Sequence, residues 1–159
     1  MKNIFFILIF LFVAIPTLKA DVKKWKLEQV GFLNIDRNEK DYGGFSGLII
    51  KNAGTEALVV TDKSFFFVLE LRRDDNDILT GYSVIKKGRI LSSKGEHLNG
   101  RNTDSESIAM DGNNNYYISF ESNHRIMMHA EVEGKGIFVP KHPMFRKLSV
   151  NKGIEALAI

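Results

Sequence analysis

The sequence predicts an all-β protein: a partial β-propeller of about two four-stranded blades followed by the first strand of a third. Three observations lead to this prediction. Short runs rich in β-branched and aromatic residues alternate with turns rich in Asp, Asn, Gly and Lys. Beyond the N-terminal segment, no long stretch shows the apolar period of about 3.6 residues that marks a helix. An apolar strand pattern also recurs along the chain at intervals typical of propeller blades.

Residues 1–20 have the features of a secretory signal peptide. Lys2 supplies the positive start, residues 4–15 form an uninterrupted apolar run, and Pro16 and Ala20 precede the predicted cleavage point. A membrane anchor is the alternative, but this run is shorter than the roughly 20 apolar residues of a spanning helix. We therefore expect a protein exported to the periplasm or the extracellular space, without a stable membrane anchor.

The charge and cysteine content of the mature chain, residues 21–159, exclude several classes of protein. Of the 22 basic residues, Lys2 and Lys19 leave with the signal, so 20 remain against 19 acidic residues and the net charge is +1. Nucleic-acid binding requires a clustered basic face, so we expect no nucleic-acid partner. The chain has no cysteine, which excludes disulfides and thiolate metal sites.

Strands and turns alternate along the mature chain. Apolar runs at residues 57–61 and 65–69 flank a short polar connection, which predicts a hairpin. Polar turns are predicted at residues 72–77 and 111–115. Residues 80–86 and 89–92 together predict a further strand, and strands are also predicted at residues 116–120 and 125–132.

An internal repeat organises these strands. Its three copies each begin with a polar and then a small residue, continue as an apolar strand, and lie at residues 46–50, 106–110 and 155–159. In the first two copies an acidic residue, Asp62 or Glu121, closes the strand that follows. Residues 103–106 also match a helix capping box, but the turn at 111–115 leaves too little room for an ordinary helix. The repeat therefore predicts one propeller domain over residues 21–159.

Five segments of the repeat, taken in order, resemble the phytase-like (esterase-like activity of phytase) β-propeller family of secreted bacterial proteins. They lie at residues 43–48 (GGFSGL), 61–62 (TD), 104–109 (DSESIA), 118–121 (ISFE) and 151–157 (NKGIEAL). Because members of that family are much longer, the resemblance implies an N-terminal, truncated portion whose remaining blades are missing from this chain. It also implies a calcium-dependent hydrolase of phosphate or other esters.

Acidic residues at strand ends are the candidate site residues. Glu106 and Glu155 share one position of the repeat, and Asp62 and Glu121 share another. In a propeller we expect all four near one rim of the central channel, where their oxygens suit a calcium ion. Glu106, Glu121 and Glu155 are also the candidate catalytic carboxylates, acting as general acid or base.

Two alternatives to a calcium site stay open. The acidic side chains can serve structure alone, by accepting hydrogen bonds from backbone N–H groups of neighbouring blades. Arg101 or Arg125 can also replace calcium as the counter-charge. Ser46 is a weak candidate nucleophile, because residues 44–48 do not complete the G-x-S-x-G motif. The histidines show no metal-ligand spacing and are expected at the surface; they are His97, His124, His129 and His142.

Two function classes follow from this sequence. A hydrolase acting on a small-molecule ester should place an acid pair and a basic group, such as Arg101, Arg125 or Lys152, in one cleft. A non-catalytic propeller should instead bind a ligand or partner at an aromatic or apolar channel mouth. One fold serves both classes, so the sequence leaves the choice open.

We predict that export removes the signal peptide at or near Ala20, because the apolar run ends there in a proline and a small residue. N-terminal sequencing of the mature protein should therefore begin at or near Asp21. Recovery of a chain that retains Met1 in the membrane fraction would contradict this prediction.

Overall fold

The computed structural model describes residues 26–35, 41–150 and 152–159. It confirms the all-β prediction, because the described strands form two antiparallel four-stranded sheets. The described helical segments are short 3-10 turns at Asn52–Gly54, Gly100–Asn102 and Pro143–Lys147. No helix within these ranges is long and apolar enough to cross a membrane. The predicted signal at residues 1–20 lies outside the described residues.

Sheet 1 is a meander whose strands pair in chain order. Its strands are β1 (Phe45–Lys51), β2 (Glu56–Thr61), β3 (Phe65–Arg73) and β4 (Leu79–Arg89). β2 is apolar at consecutive positions because both of its faces are buried. Leu58 and Val60 join the core shared with sheet 2, and Ala57 and Val59 join a second core on the opposite face. The strand predicted from residues 80–86 and 89–92 corresponds to β4, which ends at Arg89, so residues 90–92 lie outside it.

Sheet 2 has the same strand order as sheet 1. Its strands are β5 (Ser105–Met110), β6 (Tyr116–Phe120), β7 (Arg125–His129) and β8 (Ile137–Phe138). β5 confirms a strand, and not a helix, at the second copy of the repeat. Asp111 holds the turn between β5 and β6, because its Oδ1 accepts the backbone N–H groups of Asn113 and Asn115, each at 2.9 Å. The sequence analysis did not predict β8.

A β-bulge occurs at the same place in both sheets. The register shifts at Ser46 in the ladder of β1 with β2, and at Glu106 in the ladder of β5 with β6. A bulge leaves one residue of the ladder unpaired and turns its side chain in a new direction. The two copies of the repeat therefore share a backbone irregularity, and Glu106 occupies it in sheet 2.

Sheets 1 and 2 pack face to face, and β1 and β5 approach each other closely. At Gly47 an added Cβ would lie only 2.8 Å from the backbone nitrogen of Ile108, so glycine is required for this approach. Hydroxyl groups cross the same interface. Ser46 Oγ donates to the Ser105 carbonyl oxygen at 2.6 Å, and Ser105 Oγ donates to the Thr61 carbonyl oxygen at 2.5 Å. These bonds satisfy buried carbonyl groups at the sheet interface, and the Ser46 hydroxyl is committed to one of them.

Apolar side chains of both sheets form the core between them. The largest of these buried side chains are Leu58, Phe66, Ile90, Ile118, Phe120 and Met127. His129 of β7 is also fully buried, so the expectation of a surface position is wrong for this histidine. Its Nδ1 donates to the Gly134 carbonyl oxygen at 3.0 Å, and burial lowers its pKa. His129 is the last residue of β7, and the turn that follows the strand holds the ring through this bond.

The third copy of the repeat, residues 155–159, forms no strand, because no described strand lies beside it to complete a ladder. This segment nevertheless contacts sheet 2. The Leu157 N–H donates to Ser107 Oγ at 3.1 Å, and Ser119 Oγ donates to the Ile154 carbonyl oxygen at 2.8 Å. The third copy therefore lies against sheet 2 through hydroxyl bonds, as β5 lies against sheet 1.

We predict that Gly47→Ala destabilises the protein by about 1–3 kcal/mol, because the new methyl group forces β1 away from the backbone of β5. Chemical denaturation of the variant and the wild type measures this difference. Gly112→Ala is the matched control, because an added Cβ at Gly112 meets no atom within 4 Å. Equal stabilities of the two variants would show that the close approach of β1 and β5 is not a constraint.

Candidate functional site

Three carboxylates meet where β5 begins and β6 ends. Glu106 lies on the bulge of β5, and Asp104 immediately precedes that strand. Glu121 follows β6, and its N–H donates to the Asp104 carbonyl oxygen at 2.7 Å, which joins the two segments. As a result, one carboxylate oxygen from each of the three residues lies within 4.8 Å of the others. We call these three residues the carboxylate trio.

Hydrogen bonds fix the orientation of two members of the trio. Ser122 Oγ donates to Asp104 Oδ2 at 2.7 Å, and the Gly153 N–H donates to Glu121 Oε1 at 2.7 Å. Glu121 is only 9% exposed, so its carboxylate is held in a largely desolvated position. Each of these bonds engages one carboxylate oxygen of its residue.

The Glu106 carboxyl has a strongly perturbed proton affinity. Burial is the largest cause, followed by the charges of Asp104, Glu155 and Glu121 and by a hydrogen bond with Asp104, and together they raise the pKa of Glu106 to about 7. Both burial and each nearby negative charge make ionisation of Glu106 more costly, and its pKa therefore rises. A group of this kind carries a proton over much of the range below neutral pH.

No described basic side chain forms an ion pair with the trio. Arg125, one of the two counter-charges predicted as an alternative to calcium, is occupied elsewhere. Its guanidinium donates to the carbonyl oxygens of Asn123 and Asn102, at 3.0 and 2.5 Å, and lies 3.8 Å from the ring centre of Phe120. Burial lowers the pKa of Arg125 to about 10. Arg101, the other alternative, is exposed.

The predicted site residues have different positions in the structure. Glu106 and Glu121 are members of the trio. Glu155 is exposed and lies outside the trio, but its charge contributes to the raised pKa of Glu106. Asp62 is the counterpart of Glu121 in sheet 1, and its N–H donates to the Gly44 carbonyl oxygen at 2.8 Å. Its carboxylate also lies outside the trio, and its buried Oδ1 has no hydrogen-bond partner.

Asp104 is a member of the trio that the sequence analysis did not choose as a site residue. Residues 104–109 carry part of the resemblance to the family, and Glu106 alone among them is a predicted site residue. A usable indication was present, because Asp104 and Glu106 are two positions apart at the start of a predicted strand, where alternate side chains share a face. Roles in metal binding or catalysis stay predictions for all of these residues.

The raised pKa of Glu106 predicts a stability that changes with pH. The folded protein binds more protons than the unfolded chain between about pH 4.5 and 7, so stability falls as pH rises through this range. Glu106→Gln removes this contribution. In buffer with EDTA, the melting temperature of the variant relative to wild type should therefore be higher at pH 8 than at pH 4.5.

Glu70→Gln, at an exposed position of β3, is the control for loss of one acidic group. Its melting temperature relative to wild type should not follow the pH dependence of the Glu106 variant. If the melting temperatures of Glu106→Gln and wild type differ by the same amount at pH 4.5 and pH 8, the raised pKa of Glu106 is contradicted.

Comparison with known proteins identifies the family. No curated protein and no solved structure matched the chain. The sequence model of one family, Phytase-like (Esterase-like activity of phytase), matches residues 40–159. The match spans both sheets and all three members of the trio. The chain belongs to the Phytase-like family.

Proposed function

We propose that this protein is an exported phytase-like propeller hydrolase that cleaves phosphate or other esters at a calcium-dependent site. The observation that carries the proposal is the carboxylate trio, which gathers three acidic side chains without a described basic partner. Carboxylates at this separation repel one another unless a cation or a shared proton intervenes. Membership of the Phytase-like family supports this class of reaction.

The donor set of the trio suits a hard cation. All of its side-chain donors are oxygens, and calcium takes six to eight oxygen ligands in a flexible geometry. In the proposal all three members contribute ligands to the ion, and Asp104 and Glu121 are the best oriented, because hydrogen bonds already fix one oxygen of each. A bound calcium ion would supply electrostatic stabilisation for a phosphoryl or carbonyl oxygen.

Glu106 is the member of the trio best suited to proton transfer. Its pKa of about 7 lies near neutral pH, where a general acid or base is most effective. The bulge turns its side chain toward Asp104 and Glu121, so a cation-binding and a proton-transferring carboxylate lie side by side. Glu155, whose charge acts on Glu106, is the outer member of this site in the proposal.

The propeller and the export route are also parts of the proposal. Two four-stranded antiparallel sheets with matching bulges, packed face to face, are the arrangement expected of neighbouring blades. The docking of residues 152–159 on sheet 2 supports a third blade at that face. Lys2 and the apolar run at residues 4–15 support export.

A non-catalytic binding protein is the second candidate function, and an apolar hollow favours it. Phe45 and Leu48 of β1 are exposed and line this hollow together with Ile35, Ser46 and Val59. The hollow has a volume of about 260 Å³, close to the lower limit for small-molecule pockets. It could accept an apolar ligand or partner without catalysing a reaction.

We predict that excess calcium raises the melting temperature of the wild-type protein and that Glu106→Gln and Glu121→Gln abolish most of this increase. At a calcium concentration of 100 times the Kd, binding stabilises the folded state by about 2.7 kcal/mol. Glutamine keeps the size of the side chain and, at position 121, an acceptor for the Gly153 N–H. Thermal unfolding with calcium and with EDTA measures the effect.

The same variants test catalysis. With p-nitrophenyl phosphate and p-nitrophenyl acetate as substrates, Glu106→Gln should lower kcat by about 10²- to 10⁴-fold, the usual contribution of a general acid or base. Glu70→Gln, at an exposed position of sheet 1, should retain both the calcium response and the activity. A calcium response without hydrolysis of either ester would favour the binding protein, and no calcium response would contradict the metal site.

A further inference from the structure

A pocket lies between sheets 1 and 2, at the end of the sheets opposite to the carboxylate trio. Its volume is about 440 Å³, which is within the range of about 300–1,000 Å³ typical of small-molecule sites. Lys51, at the end of β1, and Tyr116, at the start of β6, both line it. Glu121 of the trio follows the other end of β6. The pocket is therefore separate from the trio, and we call it the inter-sheet pocket.

The floor of the inter-sheet pocket is apolar. Leu58 of sheet 1 and Val132, which follows β7, are 2% and 6% exposed, and both belong to the core between the sheets. Val68 of β3 is half-buried and packs against the same core. An alkyl group that enters the pocket would therefore exchange water for apolar contacts, which is favourable in proportion to the area buried.

The cation on the inner wall of the pocket is already neutralised. Lys51 Nζ donates to Tyr116 Oη at 2.9 Å and lies 3.6 Å from Glu56 Oε1. The hydrogen bond with Tyr116 is the main cause that raises the pKa of Lys51, so its ammonium group stays charged. Glu56 is held in turn, because its Oε2 accepts a hydrogen bond from Asn52 Nδ2 at 3.2 Å. This wall therefore offers no uncompensated charge to a ligand.

The exposed rim of the pocket carries an excess of negative charge. Lys86 of β4 forms an ion pair with Glu133, which follows β7, so the pair spans the two sheets. The hydrogen bond from Lys86 lowers the pKa of Glu133 and keeps this carboxylate ionised. Glu131 also lines the rim, and no described basic side chain pairs with it. Two carboxylates therefore share one ammonium group, and one negative charge is left for a ligand.

We infer that the inter-sheet pocket binds a primary alkylammonium ion. The ammonium group lies at the rim beside Glu131 and Glu133, and the alkyl chain lies over the apolar floor. Carboxylates accept charge-assisted hydrogen bonds from N–H groups, which a primary ammonium ion has and a quaternary one lacks. Lys86 is the ligand's competitor for Glu133. The inference goes beyond the proposed ester hydrolysis and does not rest on it, because the pocket shares no residue with the trio.

Calorimetric titration of the full chain with hexylammonium, at constant ionic strength and with EDTA present, tests the inference. Binding should be saturable, and each methylene added between butylammonium and hexylammonium should raise the affinity by about fourfold. Hexanol lacks the charge and hexyltrimethylammonium lacks the N–H groups, so each should bind more weakly than hexylammonium by about fivefold or more. Equal affinities for the three hexyl compounds would overturn recognition of the ammonium group, and absence of saturable binding would overturn the site.

Two substitutions at the rim should change the affinity for hexylammonium in opposite directions. Glu131→Gln should weaken binding by about fivefold or more, because it removes the unpaired carboxylate. Lys86→Met should strengthen binding by about fivefold, because it removes the competitor for Glu133, and a misfolded variant would not bind more tightly. Glu96→Gln is the matched control, because Glu96 is exposed and does not line the pocket. Its affinity should differ from that of wild type by less than about twofold.

The carboxylate trio is another acidic cluster that could attract an ammonium ion, and Glu106→Gln separates the two sites. This variant should bind hexylammonium as the wild type does while losing the calcium response. Loss of hexylammonium binding in Glu106→Gln, or equal losses in Glu131→Gln and Glu96→Gln, would overturn the inter-sheet pocket as the site. Weaker binding by Lys86→Met would overturn Glu133 as an acceptor. Hexylammonium binding without any calcium response in wild type would contradict the proposed metal site and leave this inference supported.

Discussion

The close approach of β1 and β5 is the contact on which the packing of the two sheets depends. Gly47 permits it by having no Cβ, and the hydroxyls of Ser46 and Ser105 then reach carbonyl oxygens across the interface. Apolar side chains on the facing strands complete the shared core. Hydrophobic burial supplies most of the favourable free energy, but it does not specify how two flat surfaces align. The directional hydroxyl bonds fix that alignment.

The carboxylate trio is a result of the same construction. The bulge that brings Ser46 to the sheet interface in β1 has Glu106 at its corresponding position in β5. Because the backbone is already bent there, Glu106 lies beside Asp104 and Glu121 without a change in the strand order. Burial and the charges of the neighbouring carboxylates raise the pKa of Glu106, so ionisation of all three side chains together is costly.

Sequence patterns predicted the all-β class and most strands, because β-branched and aromatic runs between polar turns depend on local chemistry. The repeat also singled out Glu106 and Glu121, since equivalent positions in a repeat share a backbone environment. Other features could not be predicted this way. The burial of His129 depends on the turn at Gly134, and β8 has only two residues. The turn between β6 and β7 is distant in sequence from residues 141–150, and only folding brings Ser122 and Arg146 to one pocket.

Gly44 occupies in sheet 1 the position that Asp104 occupies in sheet 2, since each carbonyl accepts the N–H of the residue after the second strand. Its φ of +64° is in the left-handed region that favours glycine, and an added Cβ would lie 2.3 Å from Asp62 Oδ1. An aspartate substituted here would adopt a strained backbone conformation and would displace the Asp62 carboxylate. The two repeats are therefore not interchangeable at this position, because sheet 2 has a carboxylate where sheet 1 has a glycine in the left-handed region.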